Sequence, residues 1–237
     1  MLDAKSNPIF DHALVIGVDV AAGTGSSNSC LAGYDRTTRE KVFEYASPFI
    51  RPEAFAGLAV AVARWFKAVI RKTPFLIWEA NGPGRQFGAR VVELGYGNIY
   101  LRQNDASVKK TVSAIPGVAP TRENKLVYFG AYRSALEGER IYNYSRAALE
   151  ETLEYVFTVD GGIAHSKTQN RKDPTGASAQ HGDRVVADVL AYKGLVGRFK
   201  KPQRDTPKEP PVGSLAWRRQ EREKAAKPSH RQLGAGW

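Results

Sequence analysis

The hydrophobic period of this chain changes abruptly at Pro52. Before it, three short apolar runs at residues 13–19, 29–35 and 41–46 are separated by polar connections. Runs of that length with short links read as consecutive strands of an antiparallel meander. After it, a helical pattern continues to Lys72, with the proline in the first turn, where its missing N–H costs little. Leu58, Val62, Trp65, Phe66 and Val69 share one predicted face of that helix. A chain that opens in this way is committed to a sheet with a helix laid across it.

The later pattern alternates. Residues 75–79 (Phe-Leu-Ile-Trp-Glu) form a fourth strand run, broken by Asn81-Gly82-Pro83-Gly84. A helix is expected over 85–94 with Gly95 as its stop, then a strand over 98–102. Thr121 can cap a helix to about Glu137, and Ser145 a second to about Glu154. Residues 155–160 and 163–165 suit a hairpin about Gly161-Gly162, residues 166–180 a mobile loop, and residues 183–196 a last helix. The fold class is therefore α/β: a mixed sheet that begins as an antiparallel meander and continues through helical crossovers to parallel strands, with helices on both faces. Residues 1–12 read as a leader or interdomain linker, 13–200 as one domain, and 201–237 as a flexible basic, proline-containing tail.

Composition removes several classes. With 42% hydrophobic and 25% charged residues the chain supports a packed core. It has no apolar run long enough for a membrane helix, and its start lacks the apolar stretch of a signal peptide. A single cysteine, Cys30, excludes a disulfide framework and any multi-cysteine metal site, and reads as a core residue. Of the net charge of +11, most sits beyond residue 197, where 11 Lys and Arg face 4 acids. That balance suits a polyanionic partner or a docking tail, and equally a solvated one.

Acids stand at the ends of the first and fourth strand runs. If those strands are neighbours, Asp19 and Glu79 lie level, and a helix beginning at Asp183 can bring a third carboxylate. Converging carboxylates repel one another unless a cation neutralises them, and oxygen ligands favour Mg²⁺ or Mn²⁺. Two such ions can activate a water and stabilise the leaving oxygen of a phosphodiester. Each acid also has an ordinary reading: Asp19 as a turn residue, Asp183 as a helix N-cap. Glu79 inside an apolar run needs a partner or an ion if buried. Asp188, about 140° round the helix from Asp183 at 100° per residue, reads as a surface or supporting residue. His165 and His181 are loop or hairpin histidines within possible reach of the site.

Four stretches resemble one family. They are Gly17-Val18-Asp19 with the Gly-rich loop after it, Trp78-Glu79-Ala80-Asn81-Gly82, Thr121-Arg122-Glu123-Asn124-Lys125, and His181-Gly182-Asp183-Arg184-Val185-Val186-Ala187. In that order they are similar to the C-terminal nuclease domain of the large terminase subunit of tailed double-stranded DNA phages. The resemblance implies an RNase H-like fold and a metal-dependent endonuclease acting on concatemeric double-stranded DNA in genome packaging. It implies that Asp19, Glu79 and Asp183 are both metal ligands and catalytic residues, holding two Mg²⁺ or Mn²⁺ ions. Arg85, Lys167, Arg171 and Lys172 are expected to contact phosphates. The implied partners are the portal or procapsid, the small terminase subunit and the ATPase half of the large subunit, with no membrane, in the host cytoplasm during phage assembly. Two departures stand out: many relatives carry two adjacent aspartates where this chain has Gly182-Asp183, and many carry a further acid in the loop after the first aspartate. No G-x-x-x-x-G-K-[ST] motif occurs, so no P-loop motor is expected here.

Three other readings stay open. A Holliday junction resolvase or transposase-type nuclease would use the same acids on branched or mobile DNA. A sugar-kinase or actin-like ATPase would use the Gly-rich loops on phosphates. A non-enzymatic docking module would work through the basic tail.

Overall fold

Six residues, Leu14–Asp19 (β1), form the central strand, and five of them are buried. Continuous burial of a Leu-Val-Ile-Gly-Val run requires cover on both faces, and the rest of the fold supplies it. In the computed structural model the described residues are 13–103, 112–119, 121–159, 162–166, 173–178, 182–197 and 217. The chain divides into two units, residues 1–197 and 198–237, and every element below belongs to the first. The expected leader at 1–12 lies outside the described residues, as does the expected tail apart from Trp217.

Strand β1 pairs antiparallel with β2 (Ser29–Asp35), which pairs antiparallel with β3 (Lys41–Ser47). On its other edge β1 pairs in parallel with β4 (Phe75–Trp78), in the register Val18 opposite Trp78. The sheet order is β3-β2-β1-β4. The crossover between β3 and β4 is α1 (Pro52–Ile70), which buries Phe55, Ala56, Ala59, Val60, Ala63 and Phe66. The face differs from the one expected. Trp65 is 40% exposed, and Leu58, Val62 and Val69 are only partly buried at the flanks. Three alanines let the helix backbone approach the sheet, and the large residues then close its edges.

Helix α2 (Pro83–Glu93) follows β4 and rests on α1. Residues 98–102 depart from the expected single strand. Ile99 bridges Leu76 in parallel, after which β5 (Leu101–Gln103) turns away to pair with β6 (Val112–Pro116), a strand the sequence did not announce. Thr121 and Ser145 cap α3 (Arg122–Glu137) and α4 (Arg146–Leu153) as expected, accepting from the N–H groups of Asn124 and Ala148 at 3.2 Å. The hairpin is β7 (Tyr155–Phe157) with β8 (Ile163–His165).

The last helix, α5 (Asp183–Val196), is buried along almost its whole length. It lies on β1, β2 and β4 with one side and meets α3 and α4 with the other. Gly17 sets the distance of closest approach. A Cβ there would fall 2.0 Å from the Ala187 carbonyl oxygen and 2.5 Å from the Ala191 nitrogen. Because the obstacles are backbone atoms, Gly17→Ala must push α5 off the sheet. We expect a loss of about 3 kcal/mol, read as a lower urea midpoint with unchanged slope.

Candidate active site

The crossing of α5 over β1 brings two aspartates together. Gly17 lies under Ala187 and Ala191, and Val15 lies under Gly194, so the helix runs antiparallel to the strand. Two residues further up the strand is about 6.6 Å, and four residues back along the helix is about 6 Å. These equal steps lead from Gly17 and Ala187 to Asp19 and Asp183. Glu79 follows Trp78, the register partner of Val18, so it stands level with Asp19 on the neighbouring parallel strand. By strand alternation it shares the α5-facing side with Ile77, whose side chain lies by Gly194. The three acids expected from the sequence therefore occupy one end of the sheet.

Electrostatics report the same convergence. The Asp19 carboxyl is held well above the usual carboxylate range, by burial first and then by the charges of Asp183 and Glu79. One of its oxygens accepts from the Val20 N–H at 3.0 Å. Asp183 is 7% exposed, and burial pushes its carboxyl up to about 6. It does not act as an N-cap, since that position belongs to Gly182 and Asp183 is the first helical residue. Instead its Oδ2 accepts the backbone N–H of Asn28, in the loop after β1, at 2.5 Å. Glu79 is the more open of the three, with its side chain 18% exposed and Lys125 Nζ 3.7 Å from Oε1. Asn81 Nδ2 donates to the same oxygen at 3.0 Å.

Gly182 holds a position that a second aspartate beside Asp183 could not take. Its φ is +72°, and a Cβ there would stand 2.5 Å from the Tyr155 ring. The Tyr155 hydroxyl donates to the Gly182 carbonyl at 3.2 Å. An aspartate at 182 would meet both backbone strain and that ring. Tyr155 itself sits in the field of the acids: burial first, then Asp19, Glu151, Asp183 and Glu79, push its phenol far above its ordinary value.

Beside Asp183 lies a buried ionic clasp. Arg184, 4% exposed, donates from Nη1 to Glu151 at 2.5 Å and to Asp173 at 2.8 Å, and from Nη2 to Asp173 at 3.1 Å. Its Nε is 3.3 Å from Glu44. Asp173 also accepts from Asn28 Nδ2 at 3.2 Å, and Thr175 Oγ1 donates to Asn28 Oδ1 at 2.6 Å. The residue whose N–H holds Asp183 is thus itself tied to Asp173 and Thr175. Burial pushes the Asp173 carboxyl up, but the hydrogen bonds from Arg184 and Thr175 outweigh it and hold it at about 2. A depressed carboxylate stabilises the fold above its unfolded value, near 3.9, and that contribution is lost as pH falls toward 2. The urea midpoint of wild type should therefore exceed that of Asp173→Asn at pH 5, with the gap closing between pH 4 and pH 2.

Other expected residues fall elsewhere. For Asp188 the surface reading is corrected: it is fully buried, with Lys41 Nζ at 2.8 Å, Tyr34 Oη at 3.0 Å and Asn143 Nδ2 at 2.8 Å. Its turn of α5 does point away from Asp183, but into packed protein rather than solvent. His165 lies 3.0 Å from Glu154 and edge-on to Tyr155, not among the acids. Cys30 is a core residue, and burial, followed by the charges of Asp183 and Asp19, holds its thiol well above the ordinary range. Arg85 is exposed in the first turn of α2. His181, Lys167, Arg171 and Lys172 lie outside the described residues. Lys125, Tyr155, Asn28, Asp173 and Arg184 had no assigned role in the sequence reading, since no local periodicity ties them to acids as many as 155 residues away.

The donor set fits a hard divalent cation in kind: three carboxylates whose charges act on one another, with oxygen donors alone. As the side chains lie, no group of three or more His, Cys, Asp and Glu among the described residues is close enough to hold a metal ion.

The sheet order, the parallel β4 and the helix across β1 make a mixed α/β fold, and solved structures share it. The large terminase nuclease from thermophilic phage G20c with bound magnesium matches with a TM-score of 0.56 at 14% identity, over 77% of this chain and 82% of that one. The same nuclease with bound cobalt matches with a TM-score of 0.56 at 14% identity, over 77% and 81%. The large terminase nuclease domain of Thermus phage P74-26 matches with a TM-score of 0.55 at 13% identity, over 80% and 83%. At such identities the shared property is the fold. No protein-family model matches the sequence, and no curated protein does so significantly.

Proposed function

We propose that this chain is a divalent-metal-dependent endonuclease that cuts double-stranded DNA, serving as the nuclease part of a phage large terminase. The observation that carries the reading is the meeting of Asp19, Glu79 and Asp183 at one sheet end. The fold that brings them together is shared with terminase nucleases solved with magnesium or cobalt. Bound by these three acids, Mg²⁺ or Mn²⁺ would supply an activated water and charge stabilisation for the leaving oxygen.

The protein's own contribution is placement. Asp19 and Asp183 are fixed by backbone N–H groups of Val20 and Asn28. Glu79 is oriented by Asn81, and Lys125 places a cation where a scissile phosphate would approach. The low polarity around buried Asp183 and half-buried Asp19 strengthens their hold on a cation. In this reading residues 13–200 form the nuclease body. The ATPase half, the small subunit and the portal are its partners during packaging in the host cell, and the basic tail serves docking.

The test is cleavage of supercoiled plasmid and of a four-way junction with Mg²⁺, Mn²⁺ or EDTA. Metal-dependent nicking and linearisation of plasmid, with no preference for the junction, is the expected result. A strong preference for the junction would assign the site to a resolvase. A folded protein that cuts neither substrate with either metal would contradict the proposal.

A further inference from the structure

A pocket of about 460 Å³ opens beside Glu79, between α2, the end of β4 and the β5–β6 pair. Among the described residues two guanidinium groups line it, Arg85 from α2 and Arg102 from β5, and no Asp or Glu does. Arg102 Nε is buried without a hydrogen-bond partner among the described residues. Among those residues neither arginine forms an ion pair either. A buried guanidinium N–H lacking an acceptor is costly, so the Arg102 fork, with the exposed Arg85 on the same wall, calls for an oxyanion from outside. Asn81 stands on the wall of the pocket and donates to Glu79 Oε1 at 3.0 Å, so the pocket and the acid share a boundary. Ile115, Pro116 and Ala119 complete a largely apolar floor that strengthens a charge-assisted contact.

We propose that this pocket receives a backbone phosphate of the duplex flanking the one to be cut, held by the forks of Arg85 and Arg102. The proposal rests on the nuclease reading and gives its substrate a second point of attachment. Arginine suits the task because its planar fork matches two phosphate oxygens. Such a contact sets the register of the duplex over Glu79 without reading its sequence.

The experiment measures binding of a short labelled duplex in Ca²⁺ across a salt series, for wild type, Arg85→Gln, Arg102→Gln, Arg102→Lys and the double Gln variant. Each Gln variant should weaken binding by about fivefold and lower the salt slope by about 1. The double variant should lower the slope by about 2, and Arg102→Lys should keep the slope while losing affinity. Mn²⁺ affinity by calorimetry should stay at the wild-type value, since neither arginine touches the acids, and the thermal midpoints should not fall, since the Arg102 N–H lacks an acceptor in the free protein. Wild-type affinity and slope in all variants would overturn the pocket while leaving the nuclease reading intact. Failure of wild type to bind duplex would overturn both. Inorganic phosphate is the second probe, and displacement of the duplex by low-millimolar phosphate would assign the pocket to a free oxyanion instead.

Discussion

Asp19→Asn and Asp183→Asn are each expected to abolish metal-dependent cleavage, by at least about a hundredfold, while raising the thermal midpoint of the metal-free protein. The two effects have one cause. Asp183 is buried and Asp19 half-buried, the two act on one another, and Asp19 also feels Glu79. Without a cation this arrangement costs stability, and a neutral amide of the same shape removes the charge. The amide that replaces the Asp183 carboxylate keeps a side-chain oxygen to accept the Asn28 N–H, so the start of α5 should stay in place. Loss of cleavage accompanied by a lower midpoint would mean that the aspartates are structural anchors. Retained cleavage would remove them from the site. Glu79→Gln should cut as poorly but shift the midpoint less, because Glu79 is partly exposed and has Lys125 nearby.

The largest loss of stability is expected from Arg184→Ala. The guanidinium is buried against Glu151, Asp173 and Glu44. Its removal leaves Glu151 and Asp173 without their cation, while Glu44 keeps Lys41 at 2.5 Å, at a cost of about 3–5 kcal/mol. For a body of this size that is a fall of about 10 °C in thermal midpoint. Arg184→Lys should recover only part of it, since one ammonium cannot span Glu151 and the two oxygens of Asp173. The double variant Arg184→Ala with Asp173→Asn should lose less than the sum of the two changes, which is the signature of a coupled pair. Additive losses would mean that the hydrogen bonds of the clasp contribute independently.

The main frame could be read from sequence because it depends on local chemistry. The apolar run ending at Asp19, the proline opening α1, the caps at Thr121 and Ser145 and the run ending at Glu79 each declare their element within a few residues. Placing Asp19 level with Glu79 needed one further step, the parallel pairing of β1 with β4. What stayed hidden was decided by distant neighbours. Which face of α1 turns inward was set by Ala56, Ala59 and Ala63, small residues that carry little hydrophobic signal yet permit close approach. Asp188 read as a surface or supporting residue because helical geometry turns it away from Asp183, and the surface reading fails because α5 is covered on both sides. The clasp joins Asn28, Glu151, Asp173 and Arg184, and only the packing of α5 brings them together.

Direct binding of Mn²⁺ to wild type, Asp19→Asn and Asp183→Asn, followed by the loss of its free-ion paramagnetic resonance signal, tests the carboxylate site without requiring any turnover. A metal site built on these acids predicts saturable uptake by wild type and a loss of affinity of at least about tenfold in each variant, equivalent to about 1.4 kcal/mol. Equal uptake by all three proteins, or none by a folded wild type, would contradict it.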